Sequence, residues 1–501
     1  MEKELGKALG QQSLGEKHKI PRRLAIDESV SPITQRLPDR QHSPEFLPST
    51  HIENAPSKDL YKTLSAPLDV QVEVTTLCNE ACVHCYNFWR GAKFKETANT
   101  LPDATLDKDK VLAIIDALIK NQVFRVTFTG GEPFLFRQAV IEGVRSAKKA
   151  GIDCSLNSNL TTITRKSAES LKEAGLDSVL TSLHSFDEET HDAITQRKGS
   201  FKRTLRGIKI CQDAGLDIGV NMVVLKTNRK QVFETGSFVK ELGIESFSAT
   251  KAVPCLGGNN FSEIGIDKNA FKKMIADLIL LEKTFGINID TLMAYPLCAL
   301  SDLARFRKFA QHSCGAGITT CTIGPKGDVR PCSFSDETYG NIFSESLSQI
   351  WGKMRDWRDG SRLPEKCINE CEYFHLCGGG CRMEAKFAGD KAGMDPLATE
   401  PLDIVSLPVP DLNPPPADFW EKRFIVTPNL RLRRENFGGI IAPQGRQPVF
   451  INSIAYEIID RLKNASSPFS FKGIEHDFNL SQTSSDFFFA LFTKEFFREV
   501  Q

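Results

Sequence analysis

Three cysteines, Cys78, Cys82 and Cys85, stand in one short segment with three and then two residues between them. Three thiolates on one loop can hold three corners of a cubane iron–sulfur cluster and leave the fourth iron without a protein ligand. An iron with an open position can bind a substrate, as the open position of a catalytic zinc ion does. A structural zinc site completed by His84 is the alternative, although such sites usually take their ligands from two separate hairpins.

Seven further cysteines lie between Cys314 and Cys381, in sequence with frequent glycine and proline and little periodicity. A long irregular region needs cross-links to become ordered, and metal clusters supply them. The other cysteines among the 14 of the chain are isolated, at Cys154, Cys211, Cys255 and Cys298. Isolated cysteines are usually small buried hydrophobic residues, which is the role we predict for these four.

Short β-rich runs alternate with amphipathic helical stretches between residues 66 and 250. The predicted strands are 68–75, 124–129, 153–156, 178–183, 218–225 and 246–249, and the predicted helices are 108–120, 139–149, 165–174, 201–214 and 230–242. Such β–α units predict a parallel sheet with outer helices, either an open doubly wound sheet or a partial barrel. Ligands bind at the carboxyl ends of the strands in these folds, and the first cysteine group follows the first strand.

The chain divides into five predicted parts. These are a polar extension at 1–65, a core at 66–290, a cysteine-rich domain at 291–400, a proline-rich linker at 401–419 and a small C-terminal domain at 420–501. Residues 266–310 are predicted to be helical. In the C-terminal domain, 430–434 and 438–442 predict a hairpin and 449–452 a third strand. A helix capped by Ser453 is predicted at 453–464, and a last helix at 485–500.

Charge and hydrophobicity exclude several classes of protein. Lys and Arg number 63 and Asp and Glu number 63, so no net charge attracts nucleic acid or anionic lipid. No apolar run is long enough to span a membrane, and the first residues lack the apolar segment of a signal peptide. We therefore expect a cytoplasmic protein with neither nucleic acid nor membrane as a partner, whose grouped cysteines bind metal rather than form disulfides.

The first cysteine group, followed by the aromatic Tyr86, resembles the signature of the radical S-adenosylmethionine (radical SAM) superfamily. The resemblance implies a partial (β/α)6 TIM-type barrel and a 4Fe–4S cluster held by Cys78, Cys82 and Cys85. It further implies that the open iron binds SAM and that one electron cleaves SAM to a 5′-deoxyadenosyl radical, which abstracts a substrate hydrogen. A reductant of the flavodoxin or ferredoxin type would supply the electron.

Other positions resemble the same family. The Gly-Gly-Glu-Pro string at 130–133 follows the second predicted strand and is similar to the GGEP motif, which contacts the methionine amino group of SAM. Asn159 and Arg197 are partial matches, for which a capped turn and a surface ion pair are the alternatives. The SAM-binding residues that the resemblance implies are Tyr86, Gly130, Gly131, Glu132, Pro133, Asn159, Ser182 and Arg197. The sequence identifies no catalytic acid or base.

The second cysteine group is similar to the SPASM extension of radical SAM enzymes, which carries auxiliary iron–sulfur clusters. The resemblance rests on the Cys-Gly-x-Gly start at 314–317, a glycine ahead of Cys332, and the Cys-Gly-Gly-Gly-Cys-Arg string at 377–382. It implies that one 4Fe–4S cluster is held by Cys314, Cys321, Cys332 and Cys381, and that three corners of a second are held by Cys367, Cys371 and Cys377.

The second set departs from the family pattern at two places. Three residues separate Cys367 from Cys371 where the family commonly has two, and the cysteine of an Asp-Pro-x-Cys string is replaced by Ala398. The second auxiliary cluster is therefore expected to have a non-cysteine fourth ligand, with Asp395 as the candidate, to have an open iron, or to be absent. The sequence thus predicts one or two auxiliary clusters.

The C-terminal domain resembles the small winged-helix domain related to PqqD, which binds the leader of a ribosomally synthesised precursor peptide as an added strand. A winged helix that binds nucleic acid is disfavoured, because residues 420–501 contain 11 Lys and Arg against 9 Asp and Glu. A packing or dimerisation domain without a ligand is the remaining alternative.

These features predict a radical SAM/SPASM oxidoreductase or peptide maturase that modifies a ribosomal precursor peptide by cross-linking, excision or epimerisation. The precursor would bind through residues 420–501. Two alternatives stay open. One is an anaerobic protein maturase, either of the formylglycine type or one that modifies an enzyme subunit, and the other is a non-catalytic iron–sulfur electron carrier.

Overall fold

The computed structural model describes residues 60–87, 104–254, 261–300, 302, 306–310, 312–399, 416, 418–478 and 482–500. Most of the predicted extension and linker, together with Cys255, lies outside the described residues. Within the described part of the chain, no helix is both long enough and apolar enough to cross a membrane.

The centre of the protein is a parallel sheet whose strands alternate with helices. The strands are β1 (Asp69–Glu73), β2 (Arg125–Thr129), β3 (Asp153–Asn157), β4 (Ser178–Ser182), β5 (Ile218–Val224), β6 (Ser246–Lys251) and β7 (Asn288–Asp290). The helices are α1 (Lys108–Lys120), α2 (Arg137–Lys149), α3 (Arg165–Ala174), α4 (Glu188–Thr195), α5 (Ser200–Asp213), α6 (Val232–Glu241), α7 (Phe261–Ile264) and α8 (Lys268–Phe285). Strands β1 to β7 lie side by side in chain order, all parallel, which confirms the predicted partial barrel.

Local signals explain why the best predicted helices have their observed bounds. Helix α1 follows Asp107, whose side chain accepts a hydrogen bond from the third helical N–H. Helix α3 begins with a capping box between Thr164 and Ser167, and it ends at Gly175, whose φ is 90°. Both helices have the bounds that the sequence predicts, because the caps are encoded within a few residues of each end.

The cysteine-rich domain continues the central sheet. It contains β8 (Thr320–Ile323), β9 (Asp328–Arg330), β10 (Gly340–Asn341), α9 (Leu347–Lys353), α10 (Glu365–Glu370), α11 (Phe374–Cys377) and α12 (Arg382–Phe387). Strand β8 pairs in parallel with β1, so the sheet has ten strands in the order β10-β9-β8-β1-β2-β3-β4-β5-β6-β7. The sequence predicted an irregular domain, because elements of two to seven residues are too short to show a periodicity.

Two buried ion pairs connect the cysteine-rich domain to the barrel. Arg330 of β9 contacts Glu73 at the end of β1, and Lys251 at the end of β6 contacts Glu384 of α12. All four side chains are at most 4% exposed. Because a buried charge without its partner is costly, these pairs fix the position of the cysteine-rich domain at the carboxyl ends of the strands.

The C-terminal part contains two small sheets and three helices. Its elements are β11 (Arg423–Val426), β12 (Arg431–Glu435), β13 (Gly438–Ala442), β14 (Val449–Asn452), α13 (Ser453–Ala465), α14 (Phe471–Phe478), α15 (Gln482–Thr493) and β15 (Phe497–Val500). Strands β12, β13 and β14 form an antiparallel sheet at the predicted hairpin and third strand, while β11 pairs with β15. Asn452, rather than the predicted Ser453, caps α13 by accepting a hydrogen bond from the N–H of Ala455.

Two predicted helical regions are shorter than expected. In 266–310, α8 ends at Phe285 because Gly286 takes a left-handed φ of 64°, and β7 follows. The last helix ends at Thr493, and Glu495, with φ 66°, turns the chain into β15. Phenylalanine-rich sequence suits either a buried helix or a strand, so composition alone could not find the end of this helix.

The C-terminal part docks at the amino ends of the barrel strands. Arg431 donates hydrogen bonds to the carbonyls of Val123, Phe124 and Gly151, which precede β2 and β3, at 2.6, 3.0 and 3.3 Å. The neighbouring Arg433 donates to two carbonyls ahead of β1. The C-terminal part therefore lies at the end of the sheet opposite to the carboxyl ends of the strands.

Candidate active site

The cysteine loop, which we define as residues 74–87, leaves the carboxyl end of β1 and carries Cys78, Cys82 and Cys85. All three cysteines are half-buried. Parallel α/β folds bind ligands at this end of the sheet. The structure thus brings the three cysteines to the edge that the sequence predicted.

The Gly-Gly-Glu-Pro turn after β2 holds the start of the cysteine loop. The N–H of Gly131 donates to the carbonyl of Thr75, and the N–H of Glu132 donates to the carbonyl of Leu77, both at 2.7 Å. A Cβ atom on Gly131 would collide with that carbonyl of Leu77. Glycine is required here because two backbones approach more closely than a side chain would permit.

The same turn also holds the far end of the loop. The side chain of Asn87 is buried and donates a hydrogen bond to the carbonyl of Gly130 at 2.9 Å. Gly130 has a φ of 134°, which an L side chain rarely adopts. Pro133 then begins a short 3-10 turn that is packed into the core. Both ends of the cysteine loop are therefore anchored on one rigid turn.

The middle of the cysteine loop is held by the corner between α4 and α5. The N–H groups of Ala81 and Val83 donate to the last two carbonyls of α4 at 3.0 and 2.9 Å. Glu80, which is buried, accepts a hydrogen bond from the hydroxyl of Ser200. The loop is therefore held from both sides by the surrounding protein, which reduces the entropy that a bound cluster would have to offset.

Glu132 links the turn after β2 to the end of β3. Its buried carboxylate accepts hydrogen bonds from the N–H of Phe134 at 2.9 Å, the hydroxyl of Ser158 at 2.8 Å and the N–H of Asn159 at 2.8 Å. Burial raises the pKa of Glu132 to about 7, against these hydrogen bonds, which lower it. The group is thus close to half-ionised near neutral pH.

Two other predicted SAM-binding residues lie at the carboxyl ends of strands. Asn159 follows β3, and its amide donates to Asn79 of the cysteine loop at 2.8 Å. The side chain of Asn159 therefore positions the loop. Ser182 is the last residue of β4 and is half-buried.

The remaining two predicted residues have different surroundings. The ring of Tyr86 packs against Phe334 of the cysteine-rich domain, with 4.5 Å between ring centroids. Burial raises the pKa of Tyr86, and charge on Glu73 raises it further. Arg197 is exposed in the turn between α4 and α5, where its N–H and carbonyl take part in the turn's hydrogen bonds. The structure does not bring the exposed Arg197 side chain together with the buried Glu132.

His84 of the cysteine loop lies close to His184, which follows β4. The ligand atoms of Cys82, His84 and His184 are all within 4.8 Å of one another. Burial lowers the pKa of His84 to about 4 and also lowers the pKa of His184, so both rings are neutral at pH 7 and able to bind a metal. This geometry is compatible with the zinc alternative, whereas three cysteines on one loop fit an iron–sulfur cluster.

Three of the four cysteines predicted to hold the first auxiliary cluster influence one another. Burial raises the pKa of Cys332 to about 12, and charge on Cys314 and Cys381 contributes. Cys321 lies on β8 and is buried, and burial raises its pKa as well. Thiols with such raised pKa values would be deprotonated by binding a metal.

The other predicted cysteines, Cys367, Cys371 and Cys377, line one cavity, and Cys298 lines it with them. The prediction that Cys298 is a buried isolated hydrophobic residue is wrong, because it is half-exposed beside other thiols. The same prediction is confirmed for Cys154 and Cys211, which are at most 1% exposed in the core.

Sequence reasoning missed several residues that hold the site. These are Asn79, Glu80, Asn87, His184, Ser200 and Cys298. Asn79 and Glu80 stand between the first two motif cysteines, and a polar pair at that place is a usable signal. Asn87 ends the same loop, whereas His184 and Ser200 come from separate elements that only the fold brings to the loop. Cys298 lines the cavity of the second auxiliary set.

Two stretches of the chain match known protein families. Residues 72–239 match the Radical SAM superfamily, and residues 314–377 match SPASM, an iron-sulfur cluster-binding domain. The first range begins within β1, contains the cysteine loop and ends within α6, and the second runs from Cys314 to Cys377.

The chain is also similar to individual proteins of known sequence or structure. The chain is 32% identical over 343 residues to the Fe-coproporphyrin III synthase of Methanosarcina barkeri, covering 62% of this chain and 82% of that protein. It is 26% identical over 324 residues to the antilisterial bacteriocin subtilosin biosynthesis protein AlbA of Bacillus subtilis, covering 62% and 67%. The structure of Streptococcus suis SuiB bound to the precursor peptide SuiA superposes with a TM-score of 0.52 at 20% identity, covering 66% of this chain and 75% of that one. SuiB is also known bound to S-adenosylmethionine.

The parallel sheet and its cysteine loop define an iron–sulfur enzyme of the α/β barrel type. The chain belongs to the radical SAM superfamily and carries a SPASM domain. Its cofactors are accordingly SAM with a 4Fe–4S cluster, together with auxiliary clusters. This membership rules out a non-catalytic electron carrier and favours iron–sulfur over zinc at the cysteine loop.

Replacing Gly131 with alanine should displace the cysteine loop, because the new methyl group collides with the Leu77 carbonyl. We expect about four fewer irons per chain after anaerobic reconstitution, the content of one cluster. Gly352→Ala is the matched control, since nothing lies within 4 Å of the added methyl group. Equal iron content in the two variants would contradict this role of the turn.

Replacing Glu132 with glutamine should weaken SAM binding about tenfold or more, because an amide cannot accept from a substrate ammonium as a carboxylate does. In the wild type, SAM binding should weaken as the pH falls through about 7, where the carboxylate takes up a proton. The variant should lack this pH dependence. Equilibrium binding across pH measures both effects, with Glu169→Gln on the exposed face of α3 as control. A wild-type pH profile in the Glu132 variant would argue against contact with SAM.

Proposed function

We propose that this enzyme cleaves SAM at the cysteine loop and modifies a ribosomally synthesised precursor peptide. In this proposal Cys78, Cys82 and Cys85 hold the catalytic cluster. Bound SAM supplies a 5′-deoxyadenosyl radical that removes a substrate hydrogen, and a flavodoxin- or ferredoxin-type reductant supplies the electron. The auxiliary clusters transfer electrons or hold the substrate.

The side chains around the loop bind and orient SAM in this proposal. Glu132 accepts from the methionine ammonium, and the ends of β3 and β4 offer Asn159 and Ser182 to the same ligand. His184 is buried and His84 is half-buried, and both rings are neutral, so they exclude water without adding charge. Arg197 does not bind SAM in this proposal, because its side chain is exposed.

The proposal of a peptide substrate rests on an unpaired sheet edge in the C-terminal part. Among the described strands, β14 pairs only with β13, so its outer edge can accept an added strand. Strand β14 ends at Asn452, and Ile454, the second residue of α13, is 64% exposed. In this proposal the exposed Ile454 side chain, which follows β14 closely in the chain, contacts the added peptide.

The docking of the C-terminal part sets the geometry of such a peptide. Arg431 and Arg433 contact the amino ends of β1 to β3, whereas the cysteine loop leaves the carboxyl end of β1. One five-residue strand spans roughly 17 Å, so the leader and the modified residues must be at least that far apart. The precursor would need a spacer of about five or more extended residues between them.

A tetrapyrrole is the second candidate substrate. Similarity to the Fe-coproporphyrin III synthase favours it, since that protein matches at 32% identity. The match leaves more than a third of this chain without a counterpart. A peptide substrate gives the C-terminal sheet a role in binding, whereas a tetrapyrrole substrate would not require that sheet.

The deciding experiment incubates the reconstituted enzyme with SAM and dithionite under anaerobic conditions. One arm contains the short peptides encoded beside its gene, and the other contains an iron coproporphyrin. A peptide mass change coupled to 5′-deoxyadenosine formation would support the proposal. Turnover of the porphyrin alone would overturn it, and modification of an internal peptide of a large folded protein would favour the protein-maturase alternative.

Replacing Ile454 with glutamate should weaken binding of the modified precursor about tenfold, because a charge replaces apolar contact area at the open edge. Fluorescence anisotropy of a labelled leader measures the affinity, and 5′-deoxyadenosine formation without peptide should be unchanged. Ile119→Glu on α1, also an exposed apolar position, is the matched control. If both variants bind the leader like the wild type, the C-terminal part has a packing role.

A further inference from the structure

The cavity between the end of the barrel and the cysteine-rich domain is lined by four thiols rather than three. Cys367, Cys371 and Cys377 line it, and Cys298 joins them from the short turn Leu297–Ala299 that follows β7. Cys298 lies 69 positions before Cys367 in the chain, outside both cysteine groups. A fourth thiol is the ligand that a closed 4Fe–4S cluster requires.

Hydrogen bonds hold Cys298 in this cavity. The N–H of Leu297 donates to Sγ of Cys377 at 3.4 Å, which fixes the turn beside the predicted ligand. The N–H of Thr399 donates to Sγ of Cys298 at 3.2 Å, and the Thr399 hydroxyl donates to the Cys298 carbonyl at 3.1 Å. Backbone N–H groups that point at sulfur are a usual feature of iron–sulfur sites, because they stabilise the negative charge on the ligand.

The same thiols also influence one another's pKa. Burial raises the pKa of Cys367 to about 11, and charge on Cys371 and Cys298 raises it as well. Burial also raises the pKa of Cys377 to about 11, with charge on Cys298 again among the causes. Both pKa shifts thus have neighbouring thiols among their causes, in agreement with the cavity that the four thiols share.

The other candidate ligands fit less well. Both carboxylate oxygens of the buried Asp395 accept backbone hydrogen bonds, from Cys381 at 2.8 Å and Leu397 at 2.9 Å. Asp395 is therefore already engaged in holding the backbone next to Cys381. Met394 lies near Cys367, with 3.6 Å between sulfurs, but a neutral thioether compensates less of the cluster's charge than a thiolate.

Ala398 also lines this cavity. The position at which the sequence lacks a cysteine therefore faces the same space as Cys298, and Thr399, the next residue, holds Cys298 through two hydrogen bonds. The chain thus contains a thiol in the same cavity as the position from which the cysteine is absent.

We propose that Cys298 is the fourth ligand of the second auxiliary cluster and replaces the thiol absent at position 398. That cluster is then closed by four cysteines, and it transfers electrons instead of binding substrate at an open iron. The inference rests on the SPASM cofactor and on these four thiols, so it holds whether the substrate is a peptide or a porphyrin.

The test counts iron and sulfide, and records electron paramagnetic resonance spectra, for anaerobically reconstituted full-length variants. The wild type and Cys154→Ala should each hold about twelve irons. Cys298→Ala should lose between one and four of them and show the signal of a three-iron cluster or of no second auxiliary cluster. Cys298→Ala/Ala398→Cys should regain the lost iron, because the new thiol enters the same cavity.

Cys298→Ser keeps the inference testable if the alanine variant does not fold. A serine oxygen is a weaker ligand, so this variant should keep the cluster with altered spectrum and potential. Full iron content and a wild-type spectrum in Cys298→Ala would overturn the inference. The same holds if Met394→Leu or Asp395→Asn, but not Cys298→Ala, removes the cluster.

Discussion

The position of the candidate active site depends on one close approach between two stretches of backbone. The turn Gly130–Gly131 lies against residues 75–77, with hydrogen bonds of 2.7 Å and no room for a Cβ atom on Gly131. Parallel pairing of β1 and β2 brings these stretches together in register. The cysteine loop is placed by this contact, by the corner of α4 and α5 and by the hydrogen bond from Asn159 to Asn79.

The second constraint is that the cysteine-rich domain belongs to the same sheet as the barrel. Strand β8 pairs with β1, so any shift of the auxiliary site moves the strand that ends in the cysteine loop. The buried pair of Lys251 and Glu384 ties the end of β6 to α12, next to Cys381. Auxiliary and catalytic sites are thus held at one edge of a single sheet, which suits electron transfer or shared substrate contact between them.

Much of the fold could be predicted from the sequence, because its signals are local. Caps encode the bounds of α1 and α3, and alternation of apolar residues reveals β1 to β6. Strands β7 to β10 could not be found this way, since strands of two to four residues carry no periodicity. Their pairing depends on contacts with β1 and β6, which are distant in the chain.

The candidate site was predictable only where its residues form a motif. The cysteine spacing and the glycine turn identified the loop. Cys298, however, is distant along the chain from its proposed partners and belongs to no motif. Arg197 is the opposite case: its position in the sequence matches the family pattern in part, but its side chain is exposed. Only the three-dimensional arrangement distinguishes a thiol in the core, such as Cys154, from one facing other thiols.

The proposed chemistry depends on a cluster in the cysteine loop whose one open iron binds SAM. Mössbauer spectroscopy of protein reconstituted with isotopically enriched iron, recorded with and without SAM under anaerobic conditions, detects such binding. We expect SAM to change the signal of about one iron in twelve and Cys82→Ala to abolish the change. If SAM leaves the spectrum of the fully reconstituted wild type unaltered, the open iron does not bind SAM.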